Sequence, residues 1–187
     1  MVRKVICLVG PIASGKNTVS QYLSEKGYIP YSFSSLIKDE IKSRGQEVTR
    51  FTLNSVSNEL RQKDPAVWAK RMADSIESNN DELLIIDGAR NPIELQVMKD
   101  RYNAFIIGLT AEQEKRYGML KERNLENEQI TFEQFKELDD RELKQEGQFA
   151  QQLSKCLDMA DVLIENNGTI DELNEKVDQA INSFYSS

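Results

Sequence analysis

Apolar residues along the chain gather into five short runs separated by amphipathic stretches. The runs are Val5-Ile6-Cys7-Leu8-Val9, Tyr28 to Phe33, Leu83-Leu84-Ile85-Ile86, Ala104 to Leu109 and Ala160 to Ile164. The first and third show no polar alternation, which is expected of parallel strands covered on both faces. Between the runs the apolar residues recur at helical spacing: Val19, Tyr22 and Leu23, then Leu36, Ile37 and Ile41, then Val67, Trp68, Met72 and Ile76. A stretch from Thr52 to Arg61 also reads as helical, and Ile170, Leu173, Val177, Ile181 and Phe184 form the inward stripe of a last helix. Gly27 and Gly45 close the first two helices. Asp64-Pro65, Asn91-Pro92-Ile93-Glu94, Thr110 with Gln113, Thr131 with Gln134 and Thr169 with Glu172 read as helix-opening caps. Alternating strands and helices predict an α/β, three-layer sandwich around a five-stranded parallel sheet, with residues 1–187 as a single domain.

The first run leads into Gly10-Pro11-Ile12-Ala13-Ser14-Gly15-Lys16, which fits G-x-x-x-x-G-K, with a helical pattern behind it. In such a loop, glycines let successive backbone N–H groups converge on phosphate oxygens, and the following helix adds its positive end. Lys16 adds a point charge for the outer phosphates. Gly10, Ala13, Ser14, Gly15, Lys16, Asn17 and Thr18 are therefore expected to hold a nucleoside triphosphate, ATP being the presumed one, within a P-loop NTPase fold. The residue after the lysine, normally a Ser or Thr that ligates Mg²⁺, is Asn17. Its carbonyl oxygen can ligate the ion or hold one of its waters, and Thr18 can share the phosphate contact.

Leu83 to Ile86 ends in Asp87-Gly88, so a central strand would deliver a carboxylate to the ligand end of the sheet. With a P-loop upstream, Asp87 is the expected second holder of Mg²⁺, beside Asn17. Ser34 and Ser35 follow the second strand, where α/β folds bind ligands; an N-cap role serves equally well. Arg61 and Arg71 fall in the helical region of about 34–78, where an acceptor pocket is expected. A solvated charged face is the alternative for them. Arg90 stands just before a capped helix, beside the phosphate site. A polar break between Arg123 and Thr131 separates two charged helices. It suits a helical lid over about 116–147 that brings arginines over the phosphates and excludes water.

Composition narrows the chemistry. The chain has 187 residues, 39% hydrophobic and 29% charged, as in a soluble globular protein. A net charge of −7 argues against nucleic acid as a partner. No run approaches membrane-spanning length. Met1 to Lys4 lead straight into the first strand, which leaves no room for a signal peptide. Two cysteines make no disulfide framework, and a reducing cytoplasm is the expected compartment. The absence of histidine removes Ser-His and Cys-His nucleophile pairs. Phosphoryl transfer survives that loss, because it rests on positioning, Mg²⁺ and cationic side chains.

Over nearly its whole length the chain resembles the P-loop kinases of the nucleoside-monophosphate kinase and dephospho-coenzyme A kinase group. The resemblance rests on Gly10 to Thr18, Phe33-Ser34-Ser35, Asn58-Glu59-Leu60-Arg61, Ala69-Lys70-Arg71, Asp87-Gly88-Ala89-Arg90-Asn91-Pro92, Asp139-Asp140-Arg141-Glu142, Met159-Ala160-Asp161 and Asn167-Gly168-Thr169. It implies that Lys16 and the loop amides hold ATP, and that Asp87 lies near Mg²⁺ and the acceptor. It also implies that Arg116 and Arg141 serve as lid arginines, and that the turn Asn166-Asn167-Gly168-Thr169 lies against the adenine. Ser34-Ser35 stand where dephospho-coenzyme A kinases tend to carry an acid. The expected activity is transfer of the γ-phosphoryl group to a small phosphate-bearing acceptor, a (deoxy)nucleoside monophosphate first and dephospho-coenzyme A second. A nucleotide-binding regulatory ATPase is the alternative of another class.

Overall fold

The structure, a computed structural model, describes residues 3–122, 130–144 and 152–186. The elements in order are β1 (Lys4–Val9), α1 (Lys16–Glu25), β2 (Ile29–Ser32), α2 (Phe33–Ser43), α3 (Arg50–Lys63), α4 (Val67–Glu77) and β3 (Leu83–Asp87). Then come α5 (Pro92–Tyr102), β4 (Phe105–Thr110), α6 (Gln113–Glu122), α7 (Phe132–Lys144), α8 (Leu153–Asp158), β5 (Val162–Glu165) and α9 (Ile170–Tyr185). The five strands form one sheet in the order β2-β3-β1-β4-β5, every pair parallel.

The unbroken apolar run of β1 follows from its central place. Val5, Cys7 and Val9 point to one face and pack with Phe33, Ile37 and Ile41 of α2, Trp68, Met72 and Ile76 of α4, and Leu95 and Met98 of α5. Ile6 and Leu8 point to the other face, against Val19 and Leu23 of α1 and Leu173 and Val177 of α9. Each such side chain, once removed from water, contributes about 1.5–3 kcal/mol. A third cluster joins Ala13 of the P-loop to Leu120 and Phe135, with Ile12, Tyr117, Ile130 and Phe132 around it. The α6–α7 hairpin therefore rests on the loop itself through an apolar contact. Tyr117 tilts against Phe132 and Phe135, with ring centroids 5.3 and 5.6 Å apart.

The expected caps hold at Asn91/Glu94 and Thr169/Glu172, where both reciprocal bonds are present. They also hold at Thr131/Gln134. Thr110 does not cap α6: it ends β4, its carbonyl accepting from the Asn166 amide at 2.7 Å, and the helix starts at Gln113. Asp64 caps a turn, accepting from Ala66 N at 3.0 Å, and α4 begins only at Val67. Ser32 is the N-cap residue of α2, so Ser34 and Ser35 lie within its first turn rather than capping it. No helix among the described residues is long and apolar enough to cross a membrane.

Candidate functional site

In this strand order the chain reverses direction across the sheet at β1, and the crevice beyond the carboxyl ends of the strands opens there. The P-loop fills that position. Gly10 sits so close to β4 that a Cβ would fall 2.3 Å from the Leu109 carbonyl oxygen and 2.6 Å from Ser14 Oγ. The first of these neighbours is backbone and cannot swing aside. Gly10→Ala is therefore expected to lower stability by about 1–3 kcal/mol, as overpacking does, and to weaken nucleotide binding; chemical denaturation with nucleotide titration checks both. Gly15 has φ +104° and leads into α1.

Lys16 Nζ folds back over the loop and donates to the carbonyls of Gly10 (2.8 Å) and Pro11 (3.0 Å). Asn17 is exposed and Thr18 half-buried in the first turn of α1. Ser14 Oγ is buried with no hydrogen-bond partner among the described residues.

Asp87 closes β3, in register with Leu8 of β1 on one side and Ser32 of β2 on the other. Its Oδ1 is likewise buried and unpartnered among the described residues. An unpaired carboxylate oxygen out of water calls for a cation or its water, so the site fits Mg²⁺. The described residues hold no cluster of three or more acidic or thiol groups that would cage a metal. One carboxylate plus phosphate oxygens is a normal set for Mg²⁺. Next to Asp87, Gly88 lies against the start of α2, its Cβ direction 3.5 Å from Ser34 N. The structure thus brings Asp87, Gly88 and Ser34 together.

Two expected acceptor contacts are engaged by carboxylates. Arg61 is buried, its side chain 3% exposed, and its Nε and Nη2 donate to Glu94 Oε1 at 3.1 and 2.6 Å. Burial rules out the solvated charged face as its setting: Arg61 pairs with Glu94 in the interior. Arg71 donates to Glu40 at 2.8 Å and lies 5.0 Å from the centre of the Trp68 ring. Its hydrogen bond, followed by that of Arg44, holds the Glu40 carboxyl below its ordinary pKa. The backbone of Arg90 is fixed at both ends: its N–H donates to Glu94 Oε2 at 2.9 Å and its carbonyl accepts from Gln152 N at 2.8 Å.

On α6, Arg116 is buried and reaches the P-loop, donating from Nη1 to the Ile12 carbonyl at 3.2 Å. Both carboxylate oxygens of Asp139 on α7 grip its fork. Gln113 adds a bond to Asp139 at 2.8 Å. The turn after β5 joins the same site. Asn166 Nδ2 donates to the Ser14 carbonyl at 3.1 Å, Asn167 Oδ1 accepts from Glu112 N at 3.0 Å, and the Gly168 carbonyl accepts from Lys115 Nζ at 2.6 Å. Arg141 belongs to α7, but its side chain and all of Arg123 lie outside the described residues. Neither thiol offers a nucleophile, since burial pushes Cys7 and Cys156 up to about 12.

Glu94, Asp139 and Asn166 were not picked out as site residues by the sequence. Glu94 shows there only as a capping residue, and Asp139 only as part of Asp-Asp-Arg-Glu. Asn166 shows only within the turn that the resemblance lays against the adenine, not as a partner of the P-loop. A groove of about 450 Å³ runs from Asp87 past Ser20, Ser32, Ser35, Asp39, Met72 and Ser75.

A family model described as an AAA domain matches residues 6–145. A UPF0200/UPF0201 protein of Archaeoglobus fulgidus is 30% identical over 183 residues, covering 95% of this chain and 55% of that protein, so the chain spans about half of its length. Among solved structures, shikimate kinase from Bacteroides thetaiotaomicron superposes with a TM-score of 0.62 at 10% identity, over 96% of this chain and 98% of that one. A gluconokinase from Sinorhizobium meliloti gives 0.55 at 9% identity, over 99% and 97%. At these identities the likeness establishes the P-loop fold.

Proposed function

The chain belongs to the AAA-domain family, and on that premise we propose that it is an ATP- and Mg²⁺-dependent phosphotransferase. It moves a γ-phosphoryl group to a small acceptor in the cytoplasm. The observation that carries this reading is the buried Asp87 Oδ1, without a hydrogen-bond partner among the described residues, in register beside the strand that feeds the P-loop. The kinase names of the superposed structures agree with it.

Loop amides and Lys16 bind and neutralise the donor phosphates, and Asp87 with Asn17 holds the ion. Mg²⁺ held there would supply positive charge to offset that of the phosphates. Arg116, seated on the Ile12 carbonyl and paired with Asp139, ties α6 and α7 to the loop's outer rim, and the apolar contact there shields that rim from water. Catalysis is then positioning plus electrostatic stabilisation, with no covalent intermediate. Asp87→Asn is expected to raise the Mg²⁺ concentration for half-maximal rate by about tenfold; a Mg²⁺ titration at saturating ATP reads it, and an unchanged titration would remove Asp87 from the metal site.

The acceptor we propose is a (deoxy)nucleoside monophosphate, its phosphate facing Arg90. A second reading has a specific observation in its favour. The groove beside Asp87 is lined by serine hydroxyls and the carboxylates of Asp39 and Asp87, with no Lys or Arg among its lining residues. Such a lining suits a hydroxylated acceptor that carries no phosphate. ATP consumption measured across ribo- and deoxynucleoside monophosphates, dephospho-coenzyme A, shikimate and gluconate separates the readings. Turnover only with a nucleoside monophosphate is expected. Slow hydrolysis indifferent to every acceptor would instead point to a nucleotide-binding regulator.

A further inference from the structure

We infer that the buried Arg61–Glu94 pair is a positioning device that aims Arg90 at the acceptor phosphate; this rests on the nucleoside-monophosphate reading of the site. Glu94 divides its two oxygens between two tasks. Oε1 takes the Arg61 guanidinium, and Oε2 accepts from the consecutive amides of Arg90 (2.9 Å) and Asn91 (3.1 Å). The Asn91 side chain meanwhile caps the helix, accepting from Ile93 N at 3.0 Å. Arg61 also reaches Asn58 Oδ1 at 3.4 Å, so the carboxylate is tied to α3.

A capping glutamate needs only one oxygen, and an exposed one serves. Here the cap is fully buried and carries a buried countercharge from a different helix. Replacing a buried ion pair by apolar groups is often neutral or stabilising, so net stability is a poor reason for this arrangement. Its geometric effect is plain. The segment between the Gly88 turn and α5 carries Arg90, and the pair locks that segment to α3, while Gln152 N holds the Arg90 carbonyl from the other side. Arg61 therefore acts on the acceptor through Arg90, at one remove, and does not touch it.

A double-mutant cycle tests this. One arm is the neutralised pair, Arg61→Met combined with Glu94→Gln, which leaves no bare buried charge. The other arm is Arg90→Ala. The assay is steady-state turnover of the nucleoside monophosphate that reacts fastest in the acceptor panel. Arg90→Ala is expected to raise the acceptor KM about a hundredfold. The neutralised pair should raise it about tenfold, with kcat and the ATP KM within about twofold. Both changes together should do no more than Arg90→Ala alone, because the pair works only through that side chain.

Multiplied effects would mean that Arg61 meets the acceptor itself, and would overturn the inference while leaving the acceptor reading intact. An acceptor KM unmoved by the neutralised pair overturns it in the same way. If Arg90→Ala leaves the acceptor KM unchanged, the phosphate reading fails and the inference fails with it. Amide exchange gives a readout independent of any acceptor. The Arg90 and Asn91 amides should exchange faster in the neutralised pair by more than its small loss of global stability accounts for, and unaltered exchange there would also overturn the inference.

Discussion

Lys16→Ala is expected to lower phosphoryl transfer by about 10³-fold or more while costing about 1 kcal/mol of stability. Both parts follow from where Nζ sits. It bonds the carbonyls of Gly10 and Pro11, so the lysine is poised over the loop that would hold the phosphates. Phosphate oxygens are stronger partners for an ammonium than peptide carbonyls, because the bond is then charge-assisted on both sides. The loss in rate is large because in phosphoryl transfer the protein's task is almost entirely to offset developing charge. The loss in stability is small, though not zero as an unattached lysine would give, because those two carbonyl bonds disappear. Single-turnover rates and thermal melts on the same preparation separate the two effects. A variant that kept wild-type turnover would take the P-loop out of the chemistry.

Much of the fold is legible in the residues, for a physical reason. A parallel strand covered on both faces must be apolar at every position, and Val5 to Val9 announces that without ambiguity. Caps at Asn91, Thr131 and Thr169 are equally local, since both partners lie within one turn. The misplacements lie where a longer-range contact wins. Thr110 looks like a cap for Gln113, but its carbonyl accepts from Asn166 across the sheet edge, and the ladder keeps it in β4. Candidate site residues divide along the same line. Those carried by the loop and by strand ends, Lys16 and Asp87, fall at the carboxyl ends of the neighbouring strands β1 and β3 by topology alone. Arginines are harder to read, because one basic side chain suits phosphate or carboxylate equally. Only the fold reveals that Glu94 stands beside Arg61 across 33 positions, or Asp139 beside Arg116 across 23.

Glu94→Ala is expected to be the most destabilising single change at the site, by about 3–5 kcal/mol. Three groups lose their partner at once: the Arg61 guanidinium, 3% exposed, and the amides of Arg90 and Asn91. A guanidinium does not escape by losing its proton, so the charge stays buried and unpaired. Removing one member of a buried pair is therefore far worse than removing both. For a chain of this size the melting temperature should fall by roughly 10 °C or more. The neutralised pair, with Met at 61 and Gln at 94, should recover most of that loss, since an apolar group of similar length fills the space and the amide oxygen retains a cap. Denaturant titration of wild type, the single variant and the pair measures all three. A single variant as stable as wild type would mean that water reaches Arg61, and that its burial under α5 gives way at little cost.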